Sequence, residues 1–122
     1  MTIRRATPVV LAADPAASRE FYEDFLGFEA VMDEEGFLML ASPSTPTTQM
    51  IVSADEGPTM DPRVREVEIS IEVRDVNAAH ADAERRGLEI VYPLTDEPWG
   101  IRRFFVRDPD GNVINVVSHS DE

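Results

Sequence analysis

The chain has 122 residues and a mass of 13.6 kDa, a length that favours one domain with its own hydrophobic core. Its 24 acidic and 11 basic residues give a formal net charge of -13, which disfavours binding to nucleic acid or to an anionic membrane surface. The absence of cysteine excludes disulfides, thiolate metal sites and cysteine nucleophiles.

No membrane segment or targeting segment is expected. No apolar stretch approaches the roughly 20 residues that a membrane span requires. The N-terminal sequence MTIRRATPVV lacks the apolar segment and cleavage site of a signal peptide. We therefore expect a cytoplasmic protein that does not contact a membrane.

The first helix is predicted to follow an initial strand and to begin after Asp14. The Asp14 side chain can accept hydrogen bonds from the free N–H groups of the first turn, and Pro15 suits the first helical position. Gly27 permits the left-handed conformation that ends a helix. Residues four positions apart predict one apolar stripe on this helix: Ala17, Phe21 and Phe25.

Apolar runs separated by turn residues predict three strands after this helix. Their ranges are Glu29–Asp33, Phe37–Ala41 and Thr48–Ser53. The segment from Ala54 to Arg63 combines glycine, two prolines and several charges, which is typical of a linker.

The second half of the chain repeats this order. A strand at Val67–Val73 leads to a helix that Asp75 begins and Gly87 ends. The apolar stripe of this helix has small side chains, so we expect it to bury less area than the first helix; its members are Val76, Ala79 and Ala83. Three further strands are predicted at Leu88–Val91, Ile101–Arg107 and Asn112–Ser118.

An internal repeat relates the two halves. The segment from Val9 to Val31 matches the segment from Ser70 to Val91, and Asp14 and Asp75 lie half a chain length apart. The chain is therefore predicted to contain two βαβββ modules in one domain, 1–122. Module one covers about 1–55, a linker covers about 54–63, and module two covers about 64–122.

The strand at Val67–Val73 has one apolar and one polar face. Its odd positions are apolar and should pack on the helix, while Glu68, Ser70 and Glu72 alternate between them. The polar face is then either solvated or a binding site. Each glutamate would need water, a cationic ligand or a partner such as Arg103.

Two motifs carry a resemblance to a known superfamily. The segments DPAASREFYEDFLGF, from Asp14 to Phe28, and WGIRRFFVRDPDGN, from Trp99 to Asn112, resemble the vicinal oxygen chelate superfamily. That group includes glyoxalase I, extradiol dioxygenases, fosfomycin-resistance transferases and bleomycin-resistance proteins. The resemblance implies an α+β fold of two tandem βαβββ modules, with curved mixed sheets and helices on the outer face. It also implies a homodimer.

The resemblance implies metal ligands that this chain mostly lacks. The first-strand ligand positions hold Thr7 and Glu68, and the position of a usual ligating Glu on the last strand holds Asn115. The fourth position falls within residues 42–54, which contain no His, Asp, Glu or Cys. One carboxylate does not hold a divalent ion against water, so we expect no metal and no cofactor. His80 and His119 are predicted to be solvated surface residues.

Asn115 is instead interpreted as a hydrogen-bonding group of a ligand site. If DPDGN closes a three-residue hairpin loop, Phe105 lies opposite Asn115 and Arg103 lies opposite Val117. A slip of one position would replace them by Arg102 and Phe104. The candidate ligand-binding residues are Trp99, Arg103, Phe105, Asn115, Glu68, Phe37 and Met39. No catalytic residue is assigned.

The pattern therefore favours a metal-free protein of the glyoxalase/bleomycin-resistance type that binds and sequesters a hydrophobic or basic aromatic compound. A second hypothesis is an enzyme of the same superfamily, a lyase, isomerase or dioxygenase, using an unusual metal set or a buried Glu68 as general base. A third hypothesis is a structural or regulatory module without a ligand. The residues alone leave open whether the chain is an enzyme.

Overall fold

A computed structural model describes residues 1–34, 36–54, 63 and 66–119. The first half contains β1 Ile3–Ala12, α1 Pro15–Glu20, a π-helical turn Phe21–Phe25, β2 Glu29–Glu34, β3 Phe37–Ala41 and β4 Gln49–Ala54. The second half contains β5 Val67–Val73, α2 Val76–Arg85, β6 Ile90–Glu97, β7 Ile101–Arg107 and β8 Val113–His119. The predicted α+β fold with two βαβββ modules is confirmed. Most of the predicted linker, 54–63, lies outside the described residues.

Within the described part of the chain, neither helix has the length or the apolar composition of a membrane span.

The chain forms two compact units, one of residues 7–65 and one that joins residues 1–6 to the part from residue 66 onward. The start of β1 was predicted to belong to module one. Its grouping with the second half has a local cause, because the Thr2 carbonyl accepts a hydrogen bond from the Arg74 N–H at 3.1 Å. Arg4 and Arg5 also pair with Glu72.

The unit of the second half has its core between α2 and one face of a four-stranded sheet. The strand order is β5–β8–β7–β6, with β5 and β8 parallel and the other pairs antiparallel. The small residues of α2 let the helix approach closely, and they pack with Val73, Phe104 and Val116. Ile71 packs on the same cluster, so the predicted apolar face of β5 does contact the helix.

The unit of residues 7–65 has the strand order β2–β3–β4–β1, and its helix packs differently from the prediction. No residue of α1 or of the π-helical turn is buried, and Phe21 and Phe25 are 51% and 73% exposed. The rings of Phe21 and Phe25 contact each other with their centres 5.2 Å apart, so the predicted stripe forms but faces outward. Tyr22 and Phe28 contact the core instead. The expectation that the second helix buries less than the first is wrong.

Strand β6 is longer than predicted. It continues past Pro93 to Glu97, although the sequence suggested an end at Val91. Its pairing with β7 shifts twice, between Ile90 and Tyr92 and between Tyr92 and Thr95. An edge strand with such irregularities tolerates a proline, because the missing N–H faces no partner.

The DPDGN loop sets the pairing of β7 and β8. The Asp108 N–H donates to the Asn112 carbonyl at 2.9 Å, and the predicted pairs Phe105–Asn115 and Arg103–Val117 are both present. The Asp108 carboxylate accepts hydrogen bonds from the backbone N–H groups of Asp110 and Asn112 and from the Asn112 side chain, each at 2.9 Å. These bonds hold the loop closed.

Replacing Asp108 by Asn should destabilise the hairpin in a pH-dependent way. The Asn112 side chain, followed by the backbone N–H groups of Asn112, Asp110 and Gly111, lowers the pKa of the Asp108 carboxyl below its ordinary value. The stabilisation is therefore present above the unfolded-state pKa and lost as pH falls through the lower folded-state pKa. Thermal unfolding at a series of acidic pH values should show a lower Tm for Asp108→Asn than for wild type, and this difference should shrink as the pH falls. Asp110→Asn is the control, and an equal or pH-independent deficit in both variants would contradict this assignment.

Ser118 connects β5, β8 and the start of α2. Its buried hydroxyl accepts a hydrogen bond from the Val76 N–H at 3.0 Å and donates one to the Val73 carbonyl at 2.8 Å.

Ser118→Ala should lower the free energy of unfolding by about 1–3 kcal/mol, because both buried backbone groups would lose their hydrogen-bond partner. Urea unfolding measures this loss, and Ser44→Ala, at an exposed loop hydroxyl, should leave the midpoint nearly unchanged.

Candidate ligand-binding site

The sheet of the second half has a face opposite α2 that carries several buried polar groups. We call it the polar face and define it by Ser70, Glu72, Arg103, Phe105 and Asn115. Alternation along the strands places these side chains opposite the helix-facing residues. The strand pairing then makes them neighbours, since Asn115 pairs with both Ser70 and Phe105.

Asn115 lies at the centre of the polar face and is 7% exposed. Its Nδ2 donates to the Ser70 hydroxyl at 3.0 Å. Its Oδ1 is buried and has no hydrogen-bond partner within the described residues. An unpaired buried acceptor costs about 1–3 kcal/mol, and a donor N–H or O–H reaching this oxygen would remove that cost. The amide is therefore fixed by its bond to Ser70, and its oxygen is enclosed by the surrounding side chains.

Arg103 is held by one carboxylate and three aromatic rings. Its Nε and Nη2 both lie 2.7 Å from Glu97 Oε2, and both side chains are largely buried. Its guanidinium carbon lies 5.0 Å from the ring centre of Phe105, 5.3 Å from that of Trp99 and 5.5 Å from that of Tyr92. Such contacts with aromatic rings are favourable for a guanidinium group. The charge of Arg103 is thus neutralised within the site.

Tyr92 completes this cluster. Its ring stacks on Phe105 with the centroids 4.6 Å apart, and its hydroxyl donates to Glu97 Oε2 at 3.0 Å. We call Tyr92, Glu97, Trp99, Arg103 and Phe105 the aromatic cluster. The sequence analysis missed Tyr92 and Glu97 because it ended this strand at Val91. The alternation of side chains along a longer β6, paired with Arg103 and Phe105 of β7, could have identified both residues.

Trp99 and Phe105 have opposite exposures. Trp99 is 61% exposed, whereas Phe105 is fully buried. Phe105 was predicted to line the ligand site, but in this chain it lies under Tyr92 and Arg103. It therefore supports the cluster, and Trp99 offers the accessible ring.

Glu68 differs from its prediction. It lies at an irregularity between Val67 and Ile69, where β5 has one residue more than β8, and it is exposed. A bulge of this kind leaves the extra residue unpaired. The burial that would make Glu68 a general base is absent in this chain, so that premise is wrong. Arg103 was predicted to pair with a glutamate of β5, but it pairs with Glu97 of β6.

Glu72 is the buried carboxylate of the polar face, and its partners were not predicted. Its Oε1 lies 3.4 Å from Arg5 Nη2 and 3.8 Å from Arg4 Nε, and its Oε2 lies 2.7 Å from His119 Nδ1. His119 ends β8, four positions after Asn115 on the same alternating face. That spacing is a sequence feature that could have identified it.

The prediction of a solvated surface residue is wrong for His80, which is partly buried, whereas His119 is exposed as predicted but also pairs with a carboxylate. His80 packs edge-on against Phe104 with ring centres 4.9 Å apart, and its Nδ1 lies 3.5 Å from Glu84. His119 contacts Glu72, although its side chain is 47% exposed.

Phe37 and Met39 lie on β3, in the unit of residues 7–65. Both are half-buried, and they alternate with Leu38 and Leu40, which belong to the core. Their membership in the same ligand site as Trp99 stays a prediction.

The residues at the implied metal positions do not fit a divalent ion. Thr7 is buried with a neutral hydroxyl, Glu68 is exposed, and the Asn115 amide is bonded to Ser70. Within residues 1–34, 36–54, 63 and 66–119, no three His, Asp or Glu side chains are grouped so that they could hold a metal. Neutral oxygens supply too little donor charge to replace carboxylates or imidazoles.

Solved structures similar to this chain show its fold. The NAD-dependent benzaldehyde dehydrogenase from Legionella pneumophila is 21% identical with a TM-score of 0.75, and the match covers 93% of this chain and 98% of that one. Methylmalonyl-CoA epimerase from Mycobacterium tuberculosis is 22% identical with a TM-score of 0.73, covering 97% and 87%. A glyoxalase/bleomycin resistance protein/dioxygenase superfamily member from Vibrio splendidus 12B01 is 17% identical with a TM-score of 0.68, covering 96% and 99%.

At these identities the likeness concerns the fold alone. Among curated proteins, none matches the chain. Residues 4–116 match the family model described as Glyoxalase/Bleomycin resistance protein/Dioxygenase superfamily. Two βαβββ modules and a family match over nearly the whole length lead to one conclusion: the chain belongs to the glyoxalase/bleomycin resistance protein/dioxygenase superfamily.

Proposed function

We propose that this chain is a metal-free, cytoplasmic binding protein that sequesters a hydrophobic or basic aromatic compound. The observation that supports this is the exposed ring of Trp99. The guanidinium of Arg103 contacts this ring, and Glu97 fixes the position of Arg103. A planar ligand stacked on such a ring gains roughly 0.5–1.5 kcal/mol beyond the burial of its area. A rigid ring also loses little conformational entropy on binding.

The charges of the site favour a neutral or cationic ligand. Arg103 is paired with Glu97, so its positive charge is not available to bind an anion. The net charge of -13 adds a long-range repulsion of anions. Glu72 is paired with arginines and does not require a cation from the ligand.

Trp99→Ala should weaken binding of aromatic ligands. We expect a thermal-shift screen of neutral and basic aromatic compounds to give ligands that stabilise the wild-type protein, by about 2.7 kcal/mol at 100 times Kd. The loss of stacking should raise Kd roughly tenfold, equivalent to about 1.4 kcal/mol. Arg102→Ala, on the helix side of β7, is the matched control.

Equal Kd values for wild type and Trp99→Ala would remove Trp99 from the site. Stoichiometric zinc, nickel, manganese or iron retained after dialysis would contradict metal-free binding. A screen in which no compound stabilises the protein would favour the hypothesis of a structural or regulatory module.

We also propose that the chain forms a homodimer, as its superfamily resemblance implies. The π-helical turn supports this because it leaves Phe21, Phe25 and Leu26 between 51% and 73% exposed.

Sedimentation should give twice the mass of one chain for wild type and for Phe25→Leu, and a lighter species for Phe25→Glu. A monomer in every case would contradict the proposal.

A further inference from the structure

The polar face contains a carboxylate–imidazole pair that ligand binding alone does not explain. Glu72 is a buried carboxylate, with 9% of its side chain exposed, and it lies between two kinds of partner. Arg4 and Arg5 from β1 face its Oε1 and supply the opposite charge that a buried carboxylate needs. Its Oε2 is left for His119, at 2.7 Å from Nδ1.

This contact determines the orientation and the tautomer of His119. A carboxylate oxygen accepts, so the imidazole donates its Nδ1–H to Glu72. The other nitrogen, Nε2, is then unprotonated in the neutral ring and can accept a proton. The side chain is 47% exposed, so the ring is held on one side and accessible on the other.

The strand pairing places His119 beside the proposed ligand site. Residues 115, 117 and 119 point to the same face of β8, and Val117 pairs with both Glu72 and Arg103. His119 is the next residue on that face beyond the Arg103 position, and its direct partner on β7 is Ile101, a neutral residue. The charged groups around it are Glu72 on β5, Arg4 and Arg5 on β1, and the Arg103–Glu97 pair.

We infer that His119 is a general base for a neutral aromatic ligand that binds on the polar face and carries one weakly acidic proton, with Glu72 as the residue that positions it. The inference rests on the proposed function, because it places the ligand on the same face. The proton of the ligand moves to Nε2, and the ligand keeps the electron pair. The positive charge of the resulting imidazolium lies next to the Glu72 carboxylate, which stabilises it.

A planar carbon acid tests this inference without knowledge of the natural ligand. In 5-nitrobenzisoxazole, a base removes the ring C–H proton, the electron pair forms a nitrile, the N–O bond breaks, and the oxygen leaves as a phenolate. The chain contains no lysine and no cysteine, so the other side chains that can act as the base are His80 and the carboxylates. At mildly alkaline pH, we expect a second-order rate constant about 100-fold above that of free imidazole.

Two variants separate the base from its surroundings. His119→Asn can still donate to Glu72 through its amide but has no basic nitrogen, so it should lose the acceleration while keeping its Tm. His80→Ala removes the other histidine and should keep the rate. A wild-type rate constant no greater than that of His119→Asn would overturn the inference.

Nuclear magnetic resonance of the imidazole nitrogens tests the positioning of His119 by Glu72, on which the base role depends. We expect His119 to carry its proton on Nδ1, and Glu72→Ala to move it to Nε2, the form that free imidazole side chains prefer. A proton on Nε2 in the wild-type protein would overturn the inference.

Binding of 5-nitroindazole, a ring of the same shape that cannot open, is followed by quenching of the single tryptophan. Binding without a rate difference between wild type and His119→Asn overturns the base and leaves the proposed function intact. Absence of binding contradicts the proposed function, and the rate comparison still decides the base.

Discussion

The pairing of β7 with β8 is the constraint on which the whole site depends. The Asp108 carboxylate closes the hairpin loop, and the register that follows puts Arg103 and Phe105 on the polar face and Phe104 on the helix side. A slip of one residue would exchange these faces. It would bury a guanidinium against α2 and separate Asn115 from Phe105. A short loop on the surface therefore decides the chemistry of a face several residues away.

Each buried charge of the polar face has an opposite charge beside it. Arg103 is neutralised by Glu97, and Glu72 is neutralised by arginines from β1. Buried ions need such partners, since each would otherwise lose its hydration without compensation. The large negative net charge of the chain thus belongs mainly to its solvated surface. The groups that remain accessible beside this face are the exposed ring of Trp99 and the oriented imidazole of His119.

The two modules share a pattern and differ in packing. Asp14 and Asp75 each accept a hydrogen bond from the first turn of their helix, at 3.1 and 3.0 Å. Yet α2 buries its small residues against the sheet, whereas the first helix turns into a π-helix and leaves large aromatic residues outside. Side-chain size explains part of this difference, because small residues allow close approach. The same local start does not force the same tertiary contact.

The residues alone determined the features that depend on short-range geometry. Helix starts, the βαβββ order and the pairing of Asn115 with Phe105 follow from capping, periodicity and loop length, which act within a few positions of the chain. Only the tertiary structure decided the ion pairs of Glu72 and Glu97, the exposure of Glu68 and the orientation of His119. Those depend on bulges and on strands distant in sequence becoming neighbours. A charged side chain has many partners of suitable sign in the sequence, and the fold brings it to one of them.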